Sequence, residues 1–333
     1  MFLNIVGSIC SLLSVENSEI LARNPYFDKT AGVFKNINPE YEIKKFSDIL
    51  KWGRERRRNL KTPDGDPPPL INRETILDNI RSKENSVTWL GHSSVLIRID
   101  GKTILTDPIF FSPPFIKRFA PSPVFPNDIP EIHYVLLSHS HYDHFDIRSL
   151  RIIQTDHPGA LFIVPLGMKK FTECIGIKNV IELGWWESYG IITFVPSQHW
   201  SKRFIFDTMK SLWGGYFING ASKIYYSGDT GFNESLFSMI KEKTGEMDIA
   251  ILPVGAYEPR WFMKTNHINP EDTHKISIIL KPKILIPVHW GTFREGDEPI
   301  DLPPKELSSV WRADPDGSEL KILKIGETIK PED

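Results

Sequence analysis

The sequence predicts an α/β fold with layered sheets, and two observations carry that prediction. Short apolar runs rich in β-branched and aromatic residues recur from Ser86 onward, closed by turn residues and separated by helical stretches. Four of these runs deliver a residue with metal-binding chemistry at their downstream end: His139, His199, Asp229 and His289. Ligand sites in α/β sheets collect at the carboxyl ends of strands, where the scaffold is rigid and the side chains are open.

The 333 residues are 40% hydrophobic and 25% charged, an ordinary globular composition that can build a sizeable core. That length accommodates one large domain with an extension, or two smaller domains. A net charge of −2 gives no bias toward nucleic acid, and no added nucleic-acid domain is visible. The two cysteines, Cys10 and Cys174, are too few for a disulfide framework or a cysteine-rich zinc site. No oxidising compartment is implied, and any metal must be held by His and Asp. The expected location is intracellular, either cytoplasmic or peripherally membrane-associated.

Taken in order, the chain opens on the apolar segment Met1–Leu13, which is too short to span a bilayer. It also lacks the basic region and cleavage site of a secretory signal. It reads as a terminal segment packed on the body, with an interfacial anchor as the alternative. Phe46–Trp52 looks like a short amphipathic helix, followed by the basic run Arg54, Arg56, Arg57 and Arg58. Such a run suits a solvated face, or phosphate head groups if it lies beside a membrane-facing surface. The stretch Thr62-Pro63-Asp64-Gly65-Asp66-Pro67-Pro68-Pro69 then breaks structure. Residues 1–84 are therefore read as an N-terminal extension and candidate membrane-interface segment, ahead of a domain at 85–333.

The domain begins with Val87–Leu90, then Val95–Ile99, a hairpin turn at Asp100-Gly101, and a return through Thr103–Leu105 that Asp107 closes. Residues 108–130 form a long irregular segment containing Phe110, Phe111, Phe115, Ile116, Phe119 and Phe125. Further strands are expected at Leu161–Val164, Val180–Leu183, Ile191–Val195, Lys223–Tyr226, Ile249–Val254 and Ile284–Val288. Helices are expected at Ile147–Ile153, Gly167–Thr172 and Pro270–Ile279. No period points to a solenoid or propeller.

The densest chemistry is Ser138-His139-Ser140-His141-Tyr142-Asp143-His144, directly after the apolar run Tyr134–Leu137. Imidazole nitrogen and carboxylate oxygen are the donors that zinc-class metals use. His139, His141 and Asp143 alternate, whereas His144 breaks the alternation and points elsewhere. That arrangement suits two adjacent ions better than one. The bland alternative is a polar turn rich in histidine, which the joint pattern with His199, Asp229 and His289 makes hard to sustain.

The order His-x-His-x-Asp-His, a later His, Gly-Asp-Thr and a last His resembles the metallo-β-lactamase superfamily. The resemblance covers about Ser86 to Ile325 and implies an αββα sandwich of two mixed sheets flanked by helices, with metals at one edge. It narrows at Thr88-Trp89-Leu90-Gly91-His92, Leu105-Thr106-Asp107-Pro108, Pro196–Trp200, Gly228–Gly231 and His289-Trp290-Gly291-Thr292-Phe293. These segments look like the N-acyl-phosphatidylethanolamine-hydrolysing phospholipase D group and its prokaryotic relatives. Asn24–Phe27 and Phe46–Trp52 look like that group's N-terminal region.

The resemblance implies His139, His141 and His199 on one zinc, and Asp143, His144 and His289 on a second, with Asp229 bridging. It also implies an active-site role for His267; Asn266 before it stands where that group is expected to carry Gln. Asn266 and His267 are the expected substrate contacts. Two Zn2+ per chain would support metal-hydroxide attack on phosphorus, with Asp143 orienting the hydroxide and His267 polarising a phosphoryl oxygen or protonating the leaving alkoxide. The expected substrate is an N-acyl-phosphatidylethanolamine-like phospholipid or another phosphodiester. A lactonase or soluble phosphodiesterase is the alternative within hydrolases, and a non-catalytic metal-bearing binding protein the alternative outside them. Peripheral membrane contact is expected at Phe110–Phe125, Trp185-Trp186, and Phe204-Ile205-Phe206 beside Lys202 and Arg203. A homo-oligomer is left open.

Overall fold

Period-two alternation in the central strands divides their side chains between two apolar layers. The protein is described by a computed structural model over residues 24–38, 41, 43–59, 64–114 and 116–331. The expectations for Met1–Leu13 and Phe115 lie outside the described residues. Helices α1 (Phe46–Asn59) and α2 (Arg73–Arg81) precede strands β1 (Ser86–Gly91), β2 (Ser94–Ile99), β3 (Lys102–Thr106) and β4 (Tyr134–Leu136). Then come α3 (Ile147–Asp156), β5 (Leu161–Pro165), α4 (Lys169–Cys174), β6 (Val180–Leu183), β7 (Ile192–Pro196), β8 (Gly214–Asn219) and β9 (Lys223–Tyr226). The chain continues through α5 (Glu234–Thr244), β10 (Met247–Pro253), α6 (Arg260–Met263), α7 (Pro270–Leu280), β11 (Pro282–Val288) and α8 (Leu302–Ala313).

Two seven-stranded sheets result. The first runs in the order residues 328–329, β1, β2, β3, β4, β5, β6; the second runs 319–320, β11, β10, β9, β8, β7, 188–189. Each is mixed. Strands β1 to β3 pair antiparallel and β3 to β6 parallel, while β7 to β9 pair antiparallel and β9 to β11 parallel. Val95, Ile97 and Leu136 face the apolar layer shared with the second sheet, together with Phe194, Tyr216, Ile224 and Ile251. Their neighbours Leu96, Val135 and Phe162 face the other layer, where Leu150 and Ile153 of α3 and Phe171 of α4 cover them. On the far side α5, α7 and α8 cover the second sheet through Phe237, Ile276 and Leu307. This is the αββα sandwich.

Among the labelled elements, four helices (α2, α5, α6 and α8) and the strand β8 have no counterpart in the sequence expectations. Helix α2 has only Ile76 and Ile80 as buried anchors, four residues apart, with the Asn72 side chain capping Glu74 N at 2.8 Å. Helices α5 and α8 were unexpected for want of a stated period. Strand β8 opens on Gly214-Gly215, which reads as a turn. Here the glycine is a close approach: a β-carbon on Gly215 would lie 2.2 Å from Tyr226 O.

Described residues of the segment read as an extension pack into the same layers. Phe34 is fully buried in the intersheet core, and Ile76 and Ile80 in the outer layer. Leu70 bridges Ile325 near the chain's end. The irregular segment 108–130 is anchored likewise, with Ile109, Phe110, Val124 and Ile129 buried.

Candidate metal centre

Each chemistry-bearing residue sits just past the carboxyl end of a strand. Ser138–His144 follow β4, His199 follows β7, Asp229 follows β9 and His289 follows β11. The segments after β4 and β7 bring together His139, His141 and His199. His139 Nε2 lies 2.8 Å and His199 Nε2 3.3 Å from His141 Nδ1. A second group contains Asp143, His144 and His289, with Asp143 Oδ2 at 2.9 Å from His144 Nε2 and 3.7 Å from His289 Nε2.

Asp229 joins the two groups through a single oxygen. Its Oδ2 lies 3.2 Å from both His144 Nε2 and His289 Nε2, and 3.9 Å from His199 Nε2. His267 stands at the same junction, with Nδ1 3.8 Å from that oxygen. All seven predicted metal residues and His267 therefore converge on one centre.

Asn266 is placed differently from the expected substrate contact. Its backbone carbonyl accepts from His199 Nδ1 at 2.9 Å, and its side-chain oxygen accepts from the Tyr41 hydroxyl. The residue is buried, and these bonds orient His199 from behind.

Sequence reasoning assigned no role to three further residues. His92 is buried with Nε2 3.1 Å from Asp143 Oδ2 and groups with Asp143, His144 and His289. Glu295 Oε2 is 3.4 Å from His289 Nε2 and 3.9 Å from His92 Nε2. Asp107, fully buried, accepts from His144 Nδ1 at 2.7 Å, Tyr226 OH at 2.6 Å, and Ser138 Oγ and N at 2.5 and 2.7 Å. An acceptor on Nδ1 fixes the His144 tautomer and turns its Nε2 toward the centre. Both His92 and Asp107 stood in quoted motifs; Glu295 carried no sequence signal.

The arrangement fits cations. His144 Nε2, His289 Nε2, His267 Nδ1 and Asp229 Oδ1 are buried without a hydrogen-bond partner. Such groups are costly unless something satisfies them, and converging imidazole nitrogen and carboxylate oxygen suit divalent metal. Burial pushes His139 well below the ordinary histidine range, His141 to about 4, and His92, His199 and His267 to about 3. These rings stay neutral and keep a lone pair for a ligand bond. Burial would also lower His144 and His289, but Asp229 and Asp143 outweigh it, holding His144 well above its usual value and His289 at about 10. Burial and the nearby Asp143 push Glu295 up to about 8. In the metal-free protein, protons on His144 and His289 thus supply positive charge beside Asp143 and Asp229.

Of the side chains expected to face a membrane, Phe110 and Trp185 are buried, Phe111, Phe119, Trp186 and Phe204 are half-buried, and Phe125, Ile205 and Phe206 are exposed. Trp185 is buried against Trp213 at 5.9 Å, and Phe110 is buried in the outer layer. Arg203 is buried too, donating to Ser140 O and Phe145 O at 3.2 and 2.8 Å beneath the histidine loop. Its five-donor fork suits that crowded carbonyl environment better than solvent. Phe204 packs on Phe171 at 5.7 Å, leaving Ile205 and Phe206 exposed. Among the described residues no helix is long and apolar enough to cross a membrane.

Known proteins share this plan. The profile of the beta-lactamase superfamily domain matches residues 102–290. The chain is 36% identical over 241 residues to N-acyl-phosphatidylethanolamine-hydrolyzing phospholipase D 1 of Caenorhabditis elegans, covering 66% of this chain and 67% of that one. It is 39% identical over 238 residues to the mitochondrial N-acyl-phosphatidylethanolamine-hydrolyzing phospholipase D of Saccharomyces cerevisiae, covering 66% of this chain and 50% of that one. A metallo hydrolase from the hyperthermophilic archaeon Ignicoccus hospitalis has the same fold, with a TM-score of 0.57 at 21% identity over 74% of this chain and 97% of its own. The chain is a metallo-hydrolase that belongs to the metallo-β-lactamase superfamily, near the N-acyl-phosphatidylethanolamine-hydrolysing phospholipases D.

Proposed function

We propose that the protein is a two-zinc phosphodiesterase of phospholipase D type, acting on N-acyl-phosphatidylethanolamine-like lipids. The observation that carries the two-metal reading is the shared Asp229 oxygen, within 3.2 to 3.9 Å of nitrogens from both histidine groups. The lipid reading is supported by likeness to the worm and yeast phospholipases along about two thirds of this chain. His139, His141 and His199 would hold one ion, Asp143, His144 and His289 the other, and Asp229 both. A metal pair, when bound, supplies Lewis acidity and lowers the pKa of a shared water from about 15.7 toward 7.

The chain's own residues then set the direction of attack. Asp143, partly open to solvent and fixed by His92, would orient the attacking water and take its proton, which then passes to the leaving alkoxide. His267, with Nδ1 3.8 Å from the Asp229 oxygen, would donate from its ring N–H to a phosphoryl oxygen. His141, Asp143, His267 and Glu295 are the half-buried members, and substrate enters on that side.

The test is a hydrolysis screen of metal-quantified protein against N-acylated phospholipid, a soluble phosphodiester and a lactone. Turnover of the phospholipid with heavy oxygen from water in the phosphate product is expected. Label in the released alcohol, or faster turnover of the lactone, would overturn the reading. Asp229→Ala should abolish metal-dependent turnover.

A further inference from the structure

Helix α1 packs the wrong way round for a surface helix. The side chains turned toward the body are Trp52, Glu55 and Arg56. Glu55 accepts from Trp261 Nε1 at 3.0 Å, Arg56 donates to Arg294 O and Gly296 O at 3.3 Å, and Trp52 stacks on Phe262 at 4.8 Å. On the opposite stripe, at helical spacing, stand Phe46, Ile49, Leu50, Gly53, Arg54 and Arg57. All are exposed: Phe46 by 73%, Leu50 by 47% and Ile49 by 43%, with Ile43 at 44% just ahead. A soluble helix ordinarily does the reverse. No carboxylate stands on this stripe, and exposed Lys45 precedes its apolar end.

The helix is also tied to the mouth of the metal centre. Trp261 and Phe262, on which it rests, belong to α6. Arg260 at the start of α6 donates to His267 O at 3.0 Å. Tyr41, just before the helix, donates to Asn266.

We infer that the outward face of α1 is a docking surface for an anionic phospholipid bilayer, with Phe46, Ile49 and Leu50 entering the interface and Arg54 and Arg57 meeting phosphate head groups. Apolar side chains beside a basic cluster are complementary to such a surface and to little else in water. The inference deepens the phospholipase reading, since docking here would present the half-buried His267 side of the centre to lipid. It adds a surface to the exposed pair Ile205 and Phe206, whereas Trp185 and Arg203 are buried.

The experiment is flotation of the full chain, metal-loaded, with phosphatidylcholine vesicles with and without phosphatidylserine, none containing N-acylated lipid. Binding to the phosphatidylserine vesicles that weakens with salt is expected. Phe46→Ser combined with Leu50→Ser should lower the partition by about tenfold or more. Arg54→Glu or Arg57→Glu should each lower it by about fivefold or more. Unchanged secondary structure and unfolding midpoint in each variant report an intact fold. A wild type that ignores the anionic vesicles overturns the inference, as does an apolar variant that floats as well as wild type. A wild-type dimer in sedimentation that the apolar variant dissociates also overturns it, because the face would then bind a second copy. Docking without hydrolysis of added N-acyl-phosphatidylethanolamine would remove the phospholipase reading alone. Hydrolysis of that lipid in detergent without docking would remove the docking surface alone.

Discussion

His92 Nε2 meets Asp143 Oδ2 at 3.1 Å, and the backbone of His92 is fastened at both ends to keep it there. Its N–H donates to Thr292 Oγ1 at 2.8 Å, and its carbonyl accepts from Trp89 Nε1 at 2.8 Å and His289 N at 3.1 Å. The residue holds a φ of +51°, a left-handed conformation that costs a non-glycine residue roughly 1–3 kcal/mol. Strain of that size, held by four hydrogen-bonding partners, marks His92 as a positioning residue for Asp143.

Replacing His92 with alanine should therefore weaken the proposed cation site at Asp143, His144 and His289 by roughly 10–100-fold while sparing the one proposed at His139, His141 and His199. Calorimetric titration with metal, read beside the bound-metal content, separates the two sites. His92→Gln retains a donor and should recover part of the loss. Equal affinity in the alanine variant would remove the positioning role.

Metal binding should release protons and strengthen with pH. At pH 7 His289 carries a proton, its value being held at about 10 by Asp229 and Asp143 against burial, and His144 is raised likewise. A ligating imidazole must be neutral, so each ion that takes these rings expels their protons. The stability of the metal-free protein has the opposite slope. His289 titrates at about 6.5 when unfolded and about 10 when folded, so its contribution is complete below pH 6.5 and is lost as pH rises toward 10. Titration in buffers of different ionisation enthalpy counts the protons, and urea unfolding across that range tests the slope. A metal-free protein that gains stability between pH 7 and 10 would contradict the assignment.

Much of this centre was legible because ligands follow strands. The runs before His139, His199, Asp229 and His289 are apolar and short, so their ends could be found without knowing how the sheets pack. Strand β8 was not legible, because Gly214-Gly215 is a turn signal in sequence and a close contact in space. Nor was Glu295, which lies in a loop after β11 and acquires meaning only beside His289. The burial of Trp185 and Phe110 was hidden for a related reason: both look like surface residues in irregular segments, yet those segments carry their own buried anchors. Helix α1 could be drawn as amphipathic from Phe46–Trp52, but which face turns outward depends on partners more than 200 residues away, such as Trp261 and Asp297.

Asp107 should be as sensitive as a ligand. One buried carboxylate satisfies His144, Tyr226 and Ser138, so alanine strands those donors. Removing one partner from such a buried charged network costs about 3–5 kcal/mol. Urea unfolding of metal-free Asp107→Ala checks the figure. Asp107→Asn keeps the shape but loses charge, and should fall between alanine and wild type in both stability and metal affinity. A loss under 1 kcal/mol in the alanine variant would show the network to be dispensable.

Gly228 is a close approach between the two sheets just before Asp229. Its φ is +59°, and a β-carbon there would lie 2.6 Å from Gly214 O and 2.8 Å from Ser138 Cβ. Gly214 N in turn donates to Ser138 O at 3.0 Å, so neither neighbour can retreat without breaking the link between β4 and β8. Gly228→Ala therefore combines left-handed strain with overpacking, roughly 2–4 kcal/mol in total. The comparison is Gly101→Ala, at φ +70° in the hairpin turn with nothing within 4 Å of the new carbon. That variant suffers the strain alone, about 1 kcal/mol. Because Asp229 follows Gly228 directly and touches both histidine groups, Gly228→Ala should weaken both cation sites together, unlike His92→Ala. Paired unfolding curves and metal titrations of the two glycine variants decide it; equal stability losses would mean that the contact just before Asp229 is not rigid.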